Sequence, residues 1–313
     1  MGSSQRNHLP NDPTDPTDPT APGAPTGTPP PAALPVPDTA TGRDALAAVL
    51  RDPAHAVIAL DFDGTLAEIV PDPDRARAHP DAVPALAALA PKVAAVAVIT
   101  GRPAGVAVRH GGFAGVPGLE NLVVLGHYGA ERWDAATGEL RAPEEHPGVA
   151  AVRAELPGFL DSIGAWRGTW IEEKGRALAV HTRRAEHPEA AFEALREPLG
   201  ELARRHGLIV EPGRAVLELR PPGADKGAAL TALLAETGAR AVVYAGDDLG
   251  DLAAFAAVDK LRADGLPGLL LCSGAAAPGE DHPVPELAGR ADLVLPGPPA
   301  VAAFLRTLAD AVG

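Results

Sequence analysis

Short apolar runs that stop abruptly at an acidic or glycine-containing turn recur along this chain, and few architectures accommodate them. The clearest is AVIAL, Ala56 to Leu60, which runs straight into DFDGTL. AAVAVIT ends in the turn GRP, NLVVLG follows a Gly- and Pro-rich stretch, and AVVYAG leads into GDDLGD. Runs this short and this uniformly apolar suit strands buried on both faces, which occur in parallel sheets covered by helices. The segments between them supply those helices: Asp44 to Arg51, residues 81–90, one from Lys226, one from Leu249, and a last one to the C-terminus. GLLLC and ADLVL add further strands. The expected fold is α/β, with a Rossmann-like parallel-sheet core and crossover helices.

From about Trp133 the pattern changes. VAAVRAELPGFLDSI predicts a helix broken or kinked at Pro157, because proline removes a donor and crowds the preceding turn. TWIEEK and ALAVHTR predict two strands joined by a Lys-Gly-Arg turn, Glu189 to His206 a long helix, and GLIVE and AVLELR a second strand pair. The simplest organisation is a core of residues 41–132 and 222–313, interrupted by an α+β cap over 133–221. Residues 1–40 carry the repeat TDPTDPTDPT and are too rich in Pro, Thr, Asp and Gly to bury a core, so order is expected to begin near Thr41.

Composition narrows the partners. The formal net charge of −14 repels nucleic acid, so an anionic ligand needs a local cation cluster. The single cysteine, Cys272, excludes an intramolecular disulfide and any multi-cysteine metal site. No apolar run approaches the roughly 18 residues that span a bilayer, and the N-terminus has neither the basic start nor the apolar core of a signal peptide. These features predict a cytoplasmic protein acting on neither nucleic acid nor membranes; a monomer with a small-molecule substrate is the further expectation.

Four motifs stand at strand ends or helix starts, where open α/β sheets bind ligands. In DFDGTL, Asp61 and Asp63 can share a hard cation through oxygen ligands, and Gly64 lets the backbone approach a ligand closely. Asp-Gly pairs also form plain turns, but here a buried strand feeds the pair. In ITGR, the Thr100 hydroxyl and the amides that follow, from Gly101 on, suit a phosphate oxygen, and Arg102 is a candidate substrate contact. Lys226 opens a helix where a point charge on a phosphate would be useful. In GDDLGD, Asp247, Asp248 and Asp251 repel one another unless a cation binds, while Asp248 can also cap the helix that follows.

In this order the motifs resemble the haloacid dehalogenase superfamily over about residues 54–311. The resemblance implies that Asp61 is the nucleophile and Asp63 the general acid/base, with Thr100, Gly101 and Lys226 holding the phosphate. It further implies magnesium on Asp61, the Asp63 carbonyl and Asp247, with Asp248 and Asp251 behind them. The position of the insert, between the second and third motifs, resembles the α/β-capped branch. Glu172-Glu173-Lys174, His181-Thr182-Arg183, Glu218 before Arg220-Pro221, and Lys226-Gly227 are similar to trehalose-6-phosphate phosphatases. That likeness implies that Glu172, Lys174 and Glu218 bind sugar hydroxyls; His181, alternating with apolar residues, suits a packed strand position instead.

Two places depart from that family. Gly250 and Leu252 replace the Thr and Glu of its fourth motif, and Gly126-His127-Tyr128-Gly129 has Tyr128 where the family has a histidine. Trehalose 6-phosphate hydrolysis is the leading expectation. A phosphatase for another sugar or pseudosugar phosphate, and a non-catalytic sugar-phosphate sensor, are the alternatives.

Overall fold

A computed structural model describes residues 33–164, 167–213, 215–274 and 284–313. In chain order these form α1 (Ala40–Arg51), β1 (Ala56–Leu60), α2 (Ala82–Leu89), β2 (Ala95–Ile99), α3 (Ala104–Gly111), β3 (Leu122–Gly126), β4 (Glu131–Asp134), β5 (Leu140–Arg141) and α4 (Pro147–Ser162). They continue as β6 (Trp170–Glu173), β7 (Leu178–His181), α5 (Pro188–Arg205), β8 (Ile209–Gly213), β9 (Val216–Arg220) and α6 (Lys226–Thr237). The chain ends with β10 (Ala241–Gly246), α7 (Leu252–Ala263), β11 (Gly268–Ser273), α8 (Pro285–Ala288), β12 (Leu293–Leu295) and α9 (Gly297–Ala311).

The large sheet has the order β12-β11-β10-β1-β2-β3-β4-β5. Its first six strands in that order pair in parallel, as the uniform apolar runs predict. Side-chain alternation divides each strand between two hydrophobic layers. Ile58, Leu60, Val96, Val98 and Val243 join the layer under α1, α2 and α9. Val57, Ala59, Ala97, Val242 and Tyr244 join the layer that holds Leu230 of α6 and Phe255 of α7. From β1 the chain builds outward through β2 and β3, then returns to add β10 on the other side of β1. The order therefore reverses between β1 and β10, and a crevice opens beyond the carboxyl ends of these two strands.

The second sheet has the order β6-β7-β9-β8 and is antiparallel throughout. One face, with Leu178, Val180, Leu217 and Leu219, packs against Val152 and Leu156 of α4 and Leu195, Leu199 and Leu202 of α5. The other face carries the charged residues.

Three expectations are corrected, and one helix was not foreseen. Trp133, taken as the start of the insert, pairs with Val124 in β4 and belongs to the large sheet, which continues to Arg141. The helix expected to be broken or kinked at Pro157 is not broken and runs from Pro147 to Ser162; Pro157 is exposed, and Val149, Val152, Leu156 and Leu160 are buried. Helix α3 follows the GRP turn with no sequence warning: Gly105, Val106 and Val108 are weak helix formers and the helix has only eight residues.

Order also begins before Thr41. Thr39 caps α1 through Gly42 N at 2.9 Å, its hydroxyl meets Asp292, and Asp38 N donates to the Asp292 carbonyl at 2.7 Å. Of the expected tail, residues 1–32 lie outside the described residues. Deleting residues 1–32 should leave the unfolding midpoint unchanged, whereas deletion through Thr39 should cost about 1 kcal/mol from the lost cap. Thermal unfolding of the two truncations checks this; equal midpoints would mean the Thr39–Asp292 contacts contribute nothing.

Candidate active site

The crevice at the strand-order reversal is where the acidic loops meet. Leu60 pairs with Ala245, and Asp61 N donates to the Ala245 carbonyl at 2.8 Å, which brings the loop after β1 beside the loop after β10. Gly64 sits at φ +75°, and a Cβ there would lie 2.0 Å from Asp247 Oδ2, so only glycine permits this approach. Ser273, at the end of β11, donates to the Gly64 carbonyl at 2.6 Å and pins the first loop.

Lys226 opens α6, whose N-terminus Asp225 caps. Its ammonium is 4 % exposed and donates to Asp61 Oδ1 and Asp251 Oδ1, both at 2.7 Å. Burial disfavours that charge, but the Asp251 and Asp61 carboxylates outweigh it and hold the lysine pKa well above its usual value. Asp251 is saturated: Oδ1 also accepts from Tyr244 OH at 2.6 Å, and Oδ2 accepts from the Asp247 and Asp248 amides at 3.0 and 3.2 Å. Asp248 caps the following turn through Gly250 N at 2.9 Å and also faces the cleft. Burial, with repulsion from Asp251, raises its pKa to about 6.

Carboxylate oxygens of Asp61, Asp247 and Asp251 lie within 4.8 Å of one another. Asp251 has no free acceptor position, so Asp61 and Asp247 are the available ligands. Asp247 is 3 % exposed, and its carboxylate accepts no hydrogen bond from the described residues. Burial raises the pKa of Asp247, and Asp248 and Asp61 add to the shift; burial also raises Asp61 in spite of Lys226. A buried, repelling, all-oxygen donor set fits a hard divalent cation.

Arg102 binds Asp63 through two parallel bonds, Nε to Oδ2 at 2.6 Å and a terminal nitrogen to Oδ1 at 2.7 Å. Asp63 is thereby aimed, and Arg102, expected as a substrate contact, lines the cleft with its fork already engaged. Thr100 Oγ1 accepts from Arg102 N at 3.1 Å, which leaves its own hydrogen free to donate.

The charged face of the second sheet forms the opposite wall. Glu172, Ala179, Glu218 and Glu211 stand in one cross-strand row. Each of these three carboxylates has a side-chain partner. Glu172 meets His181 at 2.6 Å, Glu218 meets Lys174 at 2.6 Å, and Glu211 meets Arg220 at 2.8 Å. Burial lowers the Lys174 pKa, yet the Glu218 charge reverses the balance and holds it above its usual value. His181 is 6 % exposed and stacks on Trp170 at 4.5 Å, as a packed strand histidine should, and it also reaches the cleft.

All the expected residues except Asp251 line this one cleft. The sequence reading missed Glu211 as a wall residue, the Arg102–Asp63 pair and the Arg220 stack over Tyr128 at 4.5 Å. Glu211, the one charge closing the apolar run GLIVE, could have been flagged; the other two join distant segments and leave no local signal.

Comparison with known proteins identifies the family. Residues 59–278, more than half of the chain, match the trehalose-phosphatase family model. A probable trehalose-phosphate phosphatase of Sinorhizobium fredii is 33% identical over 228 residues, covering 72% of this chain and 82% of that protein. The trehalose-phosphate phosphatase of Mycobacterium avium is 35% identical over 230 residues, 69% of this chain and 54% of its own length. The chain thus spans about half the length of the mycobacterial relatives it matches. The C-terminal domain of C. albicans trehalose-6-phosphate phosphatase superposes with a TM-score of 0.67 at 20% identity, covering 89% of this chain and 99% of that one. A haloacid dehalogenase-like hydrolase from Bacteroides thetaiotaomicron gives 0.53 at 16% identity, covering 80% and 98%. The fold is that of the haloacid dehalogenase-like hydrolases, and the chain belongs to the trehalose-phosphatase family.

Proposed function

We propose that this chain hydrolyses trehalose 6-phosphate to trehalose and phosphate through a phosphoaspartate on Asp61. The observation that carries the reading is the pairing of two unlike walls in one cleft: a carboxylate held by a buried lysine on one side, and a row of paired charges on the other. An Asp61 oxygen attacks phosphorus, the bond to the sugar oxygen breaks, and Asp63 gives that oxygen a proton after releasing one Arg102 contact. Asp63 then takes a proton from the water that attacks the phosphoaspartate, which frees phosphate and restores Asp61. Thr100, Gly101 and Lys226 hold the phosphoryl oxygens. Magnesium, held by Asp61, Asp247 and the main-chain carbonyl of Asp63, would supply positive charge to offset the repulsion between carboxylate and phosphate.

Residues 142–221 act as the cap in this reading, and its wall of Glu172, Lys174 and Glu218 binds the sugar. No helix among the described residues is long and apolar enough to cross a membrane. We infer a monomer working in the cytoplasm on a small sugar phosphate, without nucleic acid.

The test is phosphate release from a panel of sugar phosphates with magnesium and with EDTA. Trehalose 6-phosphate should be the best substrate, and exhaustive chelation should abolish turnover. A better ester elsewhere in the panel would replace the sugar assignment, and full activity after chelation would remove the metal.

Glu172 is the cleanest probe of the cap, because truncating either member of the buried Lys174–Glu218 pair strands the other charge. Glu172→Ala should lower kcat/KM for trehalose 6-phosphate by about 1.5–3 kcal/mol of transition-state binding. It should leave p-nitrophenyl phosphate, which cannot reach the cap, within about twofold of wild type. Equal losses on both substrates would assign Glu172 to cap folding instead of sugar recognition.

A further inference from the structure

Tyr128 occupies a backbone conformation that a bulky residue adopts only when its surroundings impose it, φ 60° and ψ 24°, directly after His127 at φ 46°. Such a conformation is costly, and it clusters where a side chain must be aimed. Three contacts do the aiming here. Tyr128 N donates to the Thr100 carbonyl at 2.9 Å, which fastens the residue to the ITGR turn. Its ring lies under the Arg220 guanidinium at 4.5 Å. Its hydroxyl stands against Gly101, where an added Cβ would lie 2.8 Å from the phenol oxygen. Tyr128 lines the catalytic cleft as well as a second pocket, Gly101 beside its hydroxyl lines the cleft alone, and among the described residues the phenol has no hydrogen-bond partner.

The donors around the phosphoryl position are few. In the resting site Lys226 already directs two hydrogen bonds to Asp61 and Asp251, the Arg102 fork is taken by Asp63, and Arg102 N is taken by Thr100 Oγ1. A transferring phosphoryl group has three non-bridging oxygens, each an acceptor, and more donors are needed to hold them. We propose that the Tyr128 hydroxyl is a further phosphate-binding donor, completing the set begun by Thr100, Gly101 and Lys226. Burial and the nearby Glu218 carboxylate push the phenol pKa well above its usual value, so the group keeps its hydrogen at working pH.

This inference rests on the phosphoryl chemistry proposed above, and its test is separable from that reading. Inorganic phosphate is titrated calorimetrically into magnesium-loaded wild type and Tyr128→Phe, with unfolding midpoints measured alongside. Phe keeps the ring under Arg220 and removes only the donor. Phosphate affinity should fall roughly tenfold to a hundredfold in Tyr128→Phe. Gly101→Ala, which retains the phenol but crowds it, should weaken phosphate in the same direction. The kcat/KM values for trehalose 6-phosphate and p-nitrophenyl phosphate should fall together in Tyr128→Phe. Unchanged phosphate affinity in Tyr128→Phe would overturn the inference, as would a loss confined to the sugar ester, which would make the phenol a sugar contact. A wild type that binds phosphate but hydrolyses nothing would sink the hydrolase reading alone, because the binding measurement needs no turnover.

Discussion

Asp61→Asn should lose turnover by at least about a thousandfold while the protein remains folded. Asparagine matches aspartate in shape but has no anionic oxygen to attack phosphorus. No neighbour can substitute: Asp251 has every acceptor position filled, Asp247 holds the cation in the proposed reading, and Asp63 is held in the Arg102 fork. Folding should survive because the substitution removes a charge that burial already disfavours, and Lys226 keeps Asp251 as its partner. Asp63→Asn should be nearly as inactive for a different reason, since the leaving oxygen then receives no proton. The measurement is kcat on trehalose 6-phosphate beside the unfolding midpoint. More than about a tenth of wild-type activity in Asp61→Asn would mean that another group attacks.

What could be read from the chain alone follows a physical divide. Asp61, Lys226 and Asp247 were legible because each stands at the boundary of an element whose periodicity is unambiguous, and the reversal of strand order brings those boundaries together. Glu172 and Lys174 were legible as a pair because two residues along a strand share a face. The partner of each was not. Glu218 beside Lys174, Arg220 beside Glu211 and Arg102 beside Asp63 depend on sheet order or on contacts between distant segments, and local pattern carries neither. The same limit explains Trp133, whose alternating strand looks like an insert until its pairing with Val124 is known. The helix continues past Pro157 where the pattern allowed a break, because that side of the helix meets solvent while Leu156 and Leu160 stay buried.

Lys226→Met should have the largest effect on stability of any single change in the site. Among the described residues the ammonium is the one cation that touches both Asp61 and Asp251, and all three groups are almost fully buried. Methionine fills the volume but leaves two buried carboxylates without their counter-charge, which costs roughly 3–5 kcal/mol. Against a typical stability of about 5–15 kcal/mol, that is a large fraction. Three consequences separate this electrostatic account from a packing defect. Lys226→Arg keeps the charge but not the compact ammonium, so it should be less destabilised than Lys226→Met yet still impaired in turnover. Magnesium should raise the unfolding midpoint more in Lys226→Met than in wild type, because a cation on Asp61 and Asp247 then replaces the missing charge instead of competing with it. In metal-free protein the deficit should also shrink on acidification. The Asp61 pKa is raised in the folded state, so its contribution to stability is fully present below the unfolded pKa and is lost as pH rises through the folded value. Removing Lys226 deepens that loss at neutral pH and leaves the protonated site nearly indifferent. Urea unfolding of both proteins from about pH 4 to pH 8, with and without magnesium, measures all of this. A deficit independent of both pH and magnesium would show that Lys226 supports packing alone, and the assignment of its charge to the nucleophile would fall with it.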